Sequence, residues 1–263
     1  MKETYISFTS IPARLPHVTP AAVGHARLAA RHNLSGVCLA LQEDAVQTMP
    51  DAVRWLVDSG RIELLTIPED HGSNTKWTLA RARHPDARLI VVDDDRVYPD
   101  SMVADMLEVA EAFPAALLCR AFRALPRPPS PDAPVEYSLA KGSPDRAPLV
   151  TCRCVRDPAS VDPRRNVLEH WAGMLYPPGF PDAAFADEAA RLAPHDDDVF
   201  LTTLATRASV DVRLVPTSDD MIYTRDLAKE IPAVRGSALG LDNRSSGWSR
   251  TRDAINRLRG YFW

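Results

Sequence analysis

Asp93, Asp94 and Asp95 stand in a row directly after the apolar run Leu89-Ile90-Val91-Val92. A continuous apolar run of this length reads as a strand buried on both faces. Carboxylates grouped at its end suit a hard divalent cation, Mg²⁺ or Mn²⁺, which takes oxygen ligands. Side chains alternate along an extended strand, so Asp93 and Asp95 are expected on one side, where they could share a cation. Three adjacent acids repel one another, and a buried unpaired charge is costly, so a metal or a rim of cations must offset them. The plainer alternative is a solvated turn whose acids cap the next helix, although a cap needs one acid and not three.

A second triplet, Asp196-Asp197-Asp198, opens a helix about a hundred residues later. Acids there complement the helix dipole, which is the ordinary reading. An ionised carboxylate facing a pocket can also act as general base toward a hydroxyl. Two weaker signals accompany these runs. Gly72-Ser73-Asn74-Thr75-Lys76-Trp77 precedes a helix. Backbone N–H groups there can meet an anion, and Lys76 adds charge, though an ordinary capped helix start reads the same way. Arg14 follows Ser10-Ile11-Pro12 near the end of the first strand, and it faces either the ligand crevice or solvent.

Elements that could position these groups follow from periodicity and punctuation. Strands are expected at 4–9, 36–41, 62–67, 88–92, 115–119 and 210–215. Helices are expected at 20–32, 51–57 (closed by Gly60), 77–83, 101–112 with Asp100 as N-cap, 185–191 and 195–207. Alternating strands and helices imply a mostly parallel sheet with helices on both faces, which places the Asp93–Asp95 run at a carboxyl-terminal strand edge, where such sheets bind ligands. The segment 167–181 mixes aromatics, glycine and proline and suits a pocket lining. Seven of the 23 prolines lie between Pro126 and Pro148, so 126–148 is expected as a surface excursion between two halves of one domain.

The chain has 263 residues, 45% of them hydrophobic, enough for one large α/β core. A formal charge of −4 carries no basic excess, so nucleic acid is not an expected partner. No run of about 18 uncharged apolar residues is present to span a membrane. The opening residues enter a strand pattern without a signal-peptide core, and a cytoplasmic protein with reduced thiols is expected. Cys38 and Cys119 read as small buried hydrophobes. Cys152 and Cys154 form one C-x-C pair with no second pair, so no zinc site is expected there.

Four pieces in this order, Thr9-Ser-Ile-Pro-Ala-Arg14, Gly72-Ser-Asn-Thr-Lys76, Val91-Val-Asp-Asp-Asp95 and Asp197-Asp-Val-Phe-Leu201, resemble the GT-A class of nucleotide-sugar glycosyltransferases. The likeness is greatest to bacterial, family 2-like members with a D-x-D element, and it covers roughly 4–225. It implies a single GT-A-like (Rossmann-like) α/β domain over 1–248. Residues 1–125 would form the nucleotide-sugar and metal half, and 149–248 the acceptor half. It implies Asp95 as metal ligand with Asp93, and Mn²⁺ or Mg²⁺ on the diphosphate of a donor, a UDP-sugar by preference. Asp93 would also face the ribose or base side, and Asp94 would support either role. Thr9, Ser10 and Arg14 would border the nucleotide, and Asn74 and Lys76 the nucleotide or diphosphate. Asp197, then Asp198, would be the base of an inverting transfer, and Trp171, Gly173, Met174 and Tyr176 part of the acceptor wall. The acceptor would be a glycan or lipid-linked sugar in bacterial surface polysaccharide synthesis. Some class members carry a late histidine as a metal ligand. The last histidine here is His195, which leaves Asp242, Asn243, Arg244 or Ser245 for late diphosphate contacts.

The tail 249–263 is basic and amphipathic, with Ile255 and Leu258 three apart and Arg250, Arg252, Arg257 and Arg259 against Asp253. It reads either as a terminal helix docked on its own domain or as a peripheral contact with the inner face of an anionic membrane. Two rival functions stand beside the transferase. Asp93-Asp-Asp95-Arg-Val97 superficially fits a haloacid dehalogenase-type phosphatase, with Asp93 as nucleophile and Asp95 as acid/base. That motif normally ends the first strand of its domain, and here three strands precede it. The other rival is a non-catalytic protein that only binds sugar nucleotides.

Overall fold

The structure, a computed structural model, describes residues 2–69, 71–125, 148–193, 196–219, 221–236, 249–258 and 260. Its core is an eight-stranded sheet. In chain order the strands are β1 (Thr4–Thr9), β2 (Gly36–Gln42), β3 (Glu63–Ile67), β4 (Arg88–Val91), β5 (Arg96–Val97), β6 (Leu117–Cys119), β7 (Ala121–Ala124), β8 (Leu149–Thr151), β9 (Ala159–Ser160), β10 (Asn166–Leu168), β11 (Met174–Tyr176), β12 (Val212–Leu214) and β13 (Arg225–Asp226). The large sheet runs β3-β2-β1-β4-β11-β6-β12-β9. The pairs β2/β3, β1/β2, β1/β4 and β6/β12 are parallel. β11 is antiparallel to both β4 and β6, and β9 to β12. A small antiparallel sheet, β10-β7-β8, and the pair β13-β5 complete the set.

Strand alternation sorts the apolar residues into two layers. Leu89 and Val91 pack on one face with Trp77, Phe200 and Leu201, while Ile90 and Val92 pack on the other with Leu28, Val53, Met102 and Met106. The first face is covered by α3 (Thr75–Arg83) and α6 (Asp197–Arg207). The second is covered by α1 (Thr19–Arg31), α2 (Asp51–Asp58) and α4 (Asp100–Ala112). A shorter helix, α5 (Ala186–Leu192), precedes α6. The expected three-layer α/β architecture is therefore present.

Several local expectations change. α3 begins at Thr75, so Lys76 lies on its first turn and not in a loop before it. Pro99 occupies the N-cap of α4 without a side-chain cap, and Asp100 instead pairs with Arg31 at 2.7 Å. Met174 and Tyr176, expected to line an acceptor wall, are fully buried in the central strand β11. Gly173 turns the chain into β11 at φ 89°, and a Cβ there would lie 2.7 Å from the Met102 sulfur. Glycine is needed on both counts.

The tail helix, Ser249–Arg257, docks on the domain: Ala254, Ile255 and Leu258 are buried in the cluster that contains α6. That apolar face is used internally, as the docked alternative requires. The excursion 126–147, His195, the segment 237–248 with Asp242, Asn243, Arg244 and Ser245, and the aromatic end 261–263 lie outside the described residues. Among the described residues no helix is long and apolar enough to cross a membrane.

Candidate active site

β4 ends at Val91, and Asp94 and Asp95 form a turn before β5. The triplet is therefore not extended, and strand alternation does not direct Asp93 and Asp95 together. Each acid instead meets a cation. The Lys76 ammonium sits 2.9 Å from Asp93. Arg14 lies 2.8 Å from Asp94 and 3.4 Å from Asp95, and the Ser10 hydroxyl donates to Asp94 at 2.6 Å. Arg96 lies 3.0 Å from Asp95 and 2.6 Å from Asp226. Thus the end of β1 brings Ser10 and Arg14, the end of β4 brings the acids, and the start of α3 brings Lys76 to one carboxyl-terminal rim.

Lys76 joins the two triplets. Its ammonium also contacts Asp197 at 2.7 Å. Asp197 meets His170 Nδ1 at 2.8 Å, and the same nitrogen lies 2.5 Å from Asp198. The backbone N–H of His170 donates to Asp198 at 2.8 Å, and His170 Nε2 contacts the Tyr176 hydroxyl. His170 is a site residue that the sequence reading missed. It follows β10 and Glu169, within the 167–181 segment read as a pocket lining, which was the only available signal.

Charges follow from these contacts. Burial pushes Asp93 up, but Lys76 more than offsets it and holds the carboxyl below its ordinary range. Burial raises Asp94 despite Arg14 and Ser10. Burial and then the Asp93 charge push Asp95 up to about 6, against Arg96. Asp197 is held far below the usual carboxylate range, because Lys76 and His170 overcome its burial. Asp198 is raised by burial against its bond to His170. His170 itself is lifted to about 8, since Asp197 outweighs the cost of burial. Nearby Glu169 is pushed up to about 7 by burial, against the Arg123 charge, and Trp171 Nε1 donates to it.

Three expected contacts are spent inside the protein. Thr9 donates to the Ala40 carbonyl at 2.7 Å, which ties β1 to β2. Asn74 is fully buried: its amide donates to Ala193 O at 2.8 Å and accepts from Trp77 Nε1 at 3.0 Å. It is a joint between α3 and the chain that leads to α6, not a group turned toward a ligand. Lys76 is buried between Asp93 and Asp197 and neutralises carboxylates. A cation nevertheless suits the rim. Asp93, Asp94, Asp95, Asp197 and Asp198 meet Arg14, Arg96, Lys76 and His170, and Arg96 is shared with Asp226. Asp95 Oδ1 is buried, with the Arg96 guanidinium 3.0 Å away. An acidic excess at a buried carboxylate fits a hard divalent ion at Asp95.

No family model matches the chain, and no curated protein matches it. Among solved structures, an apo UDP-glucose pyrophosphorylase superposes with a TM-score of 0.51 at 7% identity, over 93% of this chain and all (100%) of that one. S. aureus TarS 1–349 is similar at a TM-score of 0.47 and 10% identity, over 85% of this chain and 59% of that one. A 2-C-methyl-D-erythritol 4-phosphate cytidylyltransferase from Thermus thermophilus is similar at a TM-score of 0.44 and 14% identity, over 90% of this chain and 99% of that one. At these identities the likeness is one of fold: an open Rossmann-like α/β sheet with helices on both faces, shared with the pyrophosphorylase.

Proposed function

We propose that the chain is a metal-dependent, inverting glycosyltransferase that moves a sugar from a nucleotide-diphosphate sugar, a UDP-sugar by preference, to a hydroxyl acceptor. The observation that carries this reading is the junction of the two acid triplets through Lys76 at the carboxyl-terminal rim of β1 and β4. Ligands of open α/β sheets bind at that rim.

Asp95 is the metal ligand in this reading. A bound Mg²⁺ or Mn²⁺ would supply positive charge to the departing diphosphate. Asp93, pinned by Lys76, holds the rim rigid and keeps Lys76 ionised. Arg14 orients Asp94 and Asp95 toward the donor. Asp197, doubly held as an anion, is a weak base, because proton transfer is most efficient when the base's pKa approaches the working pH. Asp198 keeps a raised pKa and more exposure, with 29% of its side chain accessible. It is the better acceptor-hydroxyl base, and Asp197 positions it through His170. This order reverses the sequence expectation.

A thermal-shift panel of nucleoside diphosphates with and without Mn²⁺ tests the reading. A ligand at about 100 times its Kd adds about 2.7 kcal/mol of stability, which reads as a rise of several degrees. UDP with Mn²⁺ should give this rise in the parent protein, and Asp95→Ala should lose it. Asp198→Ala should keep the rise and lose sugar transfer. No shift with any nucleotide overturns the proposal.

A further inference from the structure

Among the described residues, two groups bring three metal-ligating side chains together: His170 with Asp197 and Asp198, and Cys38 with Glu63 and His84. The first already has a cation in place, because the Lys76 ammonium lies 2.7 Å from Asp197. The second lies at the opposite, amino-terminal rim of the sheet. Cys38 and Glu63 are register partners on the parallel strands β2 and β3, so their side chains share one face. His84 follows the last turn of α3.

Cys38 Sγ is 4.0 Å from Glu63 Oε2, and His84 Nε2 is 2.8 Å from that same oxygen. The three ligand atoms all lie within 4.8 Å of one another. Supporting contacts fix them. The His84 ring stacks on Tyr5 at 3.8 Å between centroids, and Arg83 holds the other Glu63 oxygen at 2.8 Å. Oε2 is thereby left facing the sulfur and the imidazole. Cys38 is fully buried, while the side chains of Glu63 and His84 are 33% and 12% exposed. An ion can therefore enter from the solvent side and keep a water as its fourth ligand.

We propose that Cys38, Glu63 and His84 form a zinc site that clamps the edge strand β3 to β2 and to the end of α3. A thiolate, an imidazole and a carboxylate suit Zn²⁺, with bonds of about 2.3 Å to sulfur and about 2.0–2.2 Å to nitrogen and oxygen. Tetrahedral placement puts the ligand atoms roughly 3.3–3.5 Å apart. The sulfur and Oε2 approach by roughly half an ångström, and the His84–Glu63 hydrogen bond opens by about as much. Both changes are side-chain rotations. The Cys38 thiol releases its proton on binding, so affinity rises with pH.

Co²⁺ titration of the reduced, chelator-treated protein tests this site. One equivalent should give intense visible bands of tetrahedral cobalt and a near-ultraviolet thiolate charge-transfer band, both displaced by Zn²⁺. Cys38→Ser should abolish the charge-transfer band. His84→Ala, at a partly exposed position, should weaken binding by at least about tenfold, the lower end of what losing even a supporting residue costs. Cys154→Ser, at an exposed cysteine, should change nothing. Cobalt bound at the aspartate cluster through oxygen would give weak bands and no charge transfer. That result, or a charge-transfer band that survives in Cys38→Ser, overturns the proposal.

Discussion

The two aspartate triplets have the same letters and differently distributed partners. In Asp93–Asp95 every acid has a cation: Lys76 on Asp93, Arg14 on Asp94, and Arg96 with Arg14 on Asp95. In Asp196–Asp198 the compensation is uneven. Asp197 takes both Lys76 and His170, Asp198 shares His170, and Asp196 Oδ2 is buried without a hydrogen-bond partner. Among the described residues, the turn gives Asp93, Asp94 and Asp95 three different cations, whereas at the start of α6 both cations fall to Asp197 and none to Asp196. Charge count alone does not set the protonation state of such a cluster; backbone shape decides which acid meets which cation.

Removing the shared cation should give the largest effect. Lys76→Met leaves Asp93 without its ion pair and Asp197 with His170 alone, which costs about 3–5 kcal/mol for a broken buried pair. Both acids then bind protons more readily in the folded state. The loss in urea unfolding should therefore be smaller at about pH 5 than at about pH 7.5. An equal loss at both would mean that Lys76 acts by packing, and the two triplets would be electrostatically independent.

His170 sharpens the comparison from the other side. Its folded-state pKa of about 8 lies above the unfolded value of about 6.5. The stability it contributes is thus fully present below about 6.5 and is lost as pH rises through about 8. His170→Gln should cost about 2 kcal/mol at about pH 6 and close to nothing at about pH 9. A cost independent of pH would show that the imidazole is not the cation of the second triplet.

Much of this arrangement was legible in the sequence because its signals are local. The strands around Ile6, Leu39 and Ile90 and both acid triplets are continuous in the chain. The insertion of β11 between β4 and β6 was not legible. Met174–Tyr176 is short and is flanked by Gly173 and Pro177, which read as loop residues. His170 was hidden for a related reason. It reaches Asp198, 28 residues on, only after β10 and β11 have taken their places in different sheets. Cys38 read as a small hydrophobe because its register partner Glu63 lies on another strand. Asn74 and Lys76 were found as polar groups near the site, but sequence spacing does not show that α3 starts early enough to turn both inward.

The smallest expected effect concerns the acid without a cation. Burial pushes Asp196 up to about 8, and the Thr251 side chain, on the tail helix, offsets only part of this. Its unfolded value is about 3.9, so the folded state holds a proton that the unfolded chain releases. Stability from this group is therefore present below about pH 4 and is lost as pH rises toward about 8. Asparagine cannot ionise, so Asp196→Asn escapes that loss. It should stabilise the protein by about 1 kcal/mol at neutral pH, the low end of the cost of an unsatisfied buried polar group, and should leave stability at about pH 4 unchanged. Urea midpoints across this range read the difference. A destabilised Asp196→Asn would mean that the carboxylate's bonds to Thr251 and the Val199 N–H outweigh the cost of its burial, and the missing cation would not distinguish the two triplets.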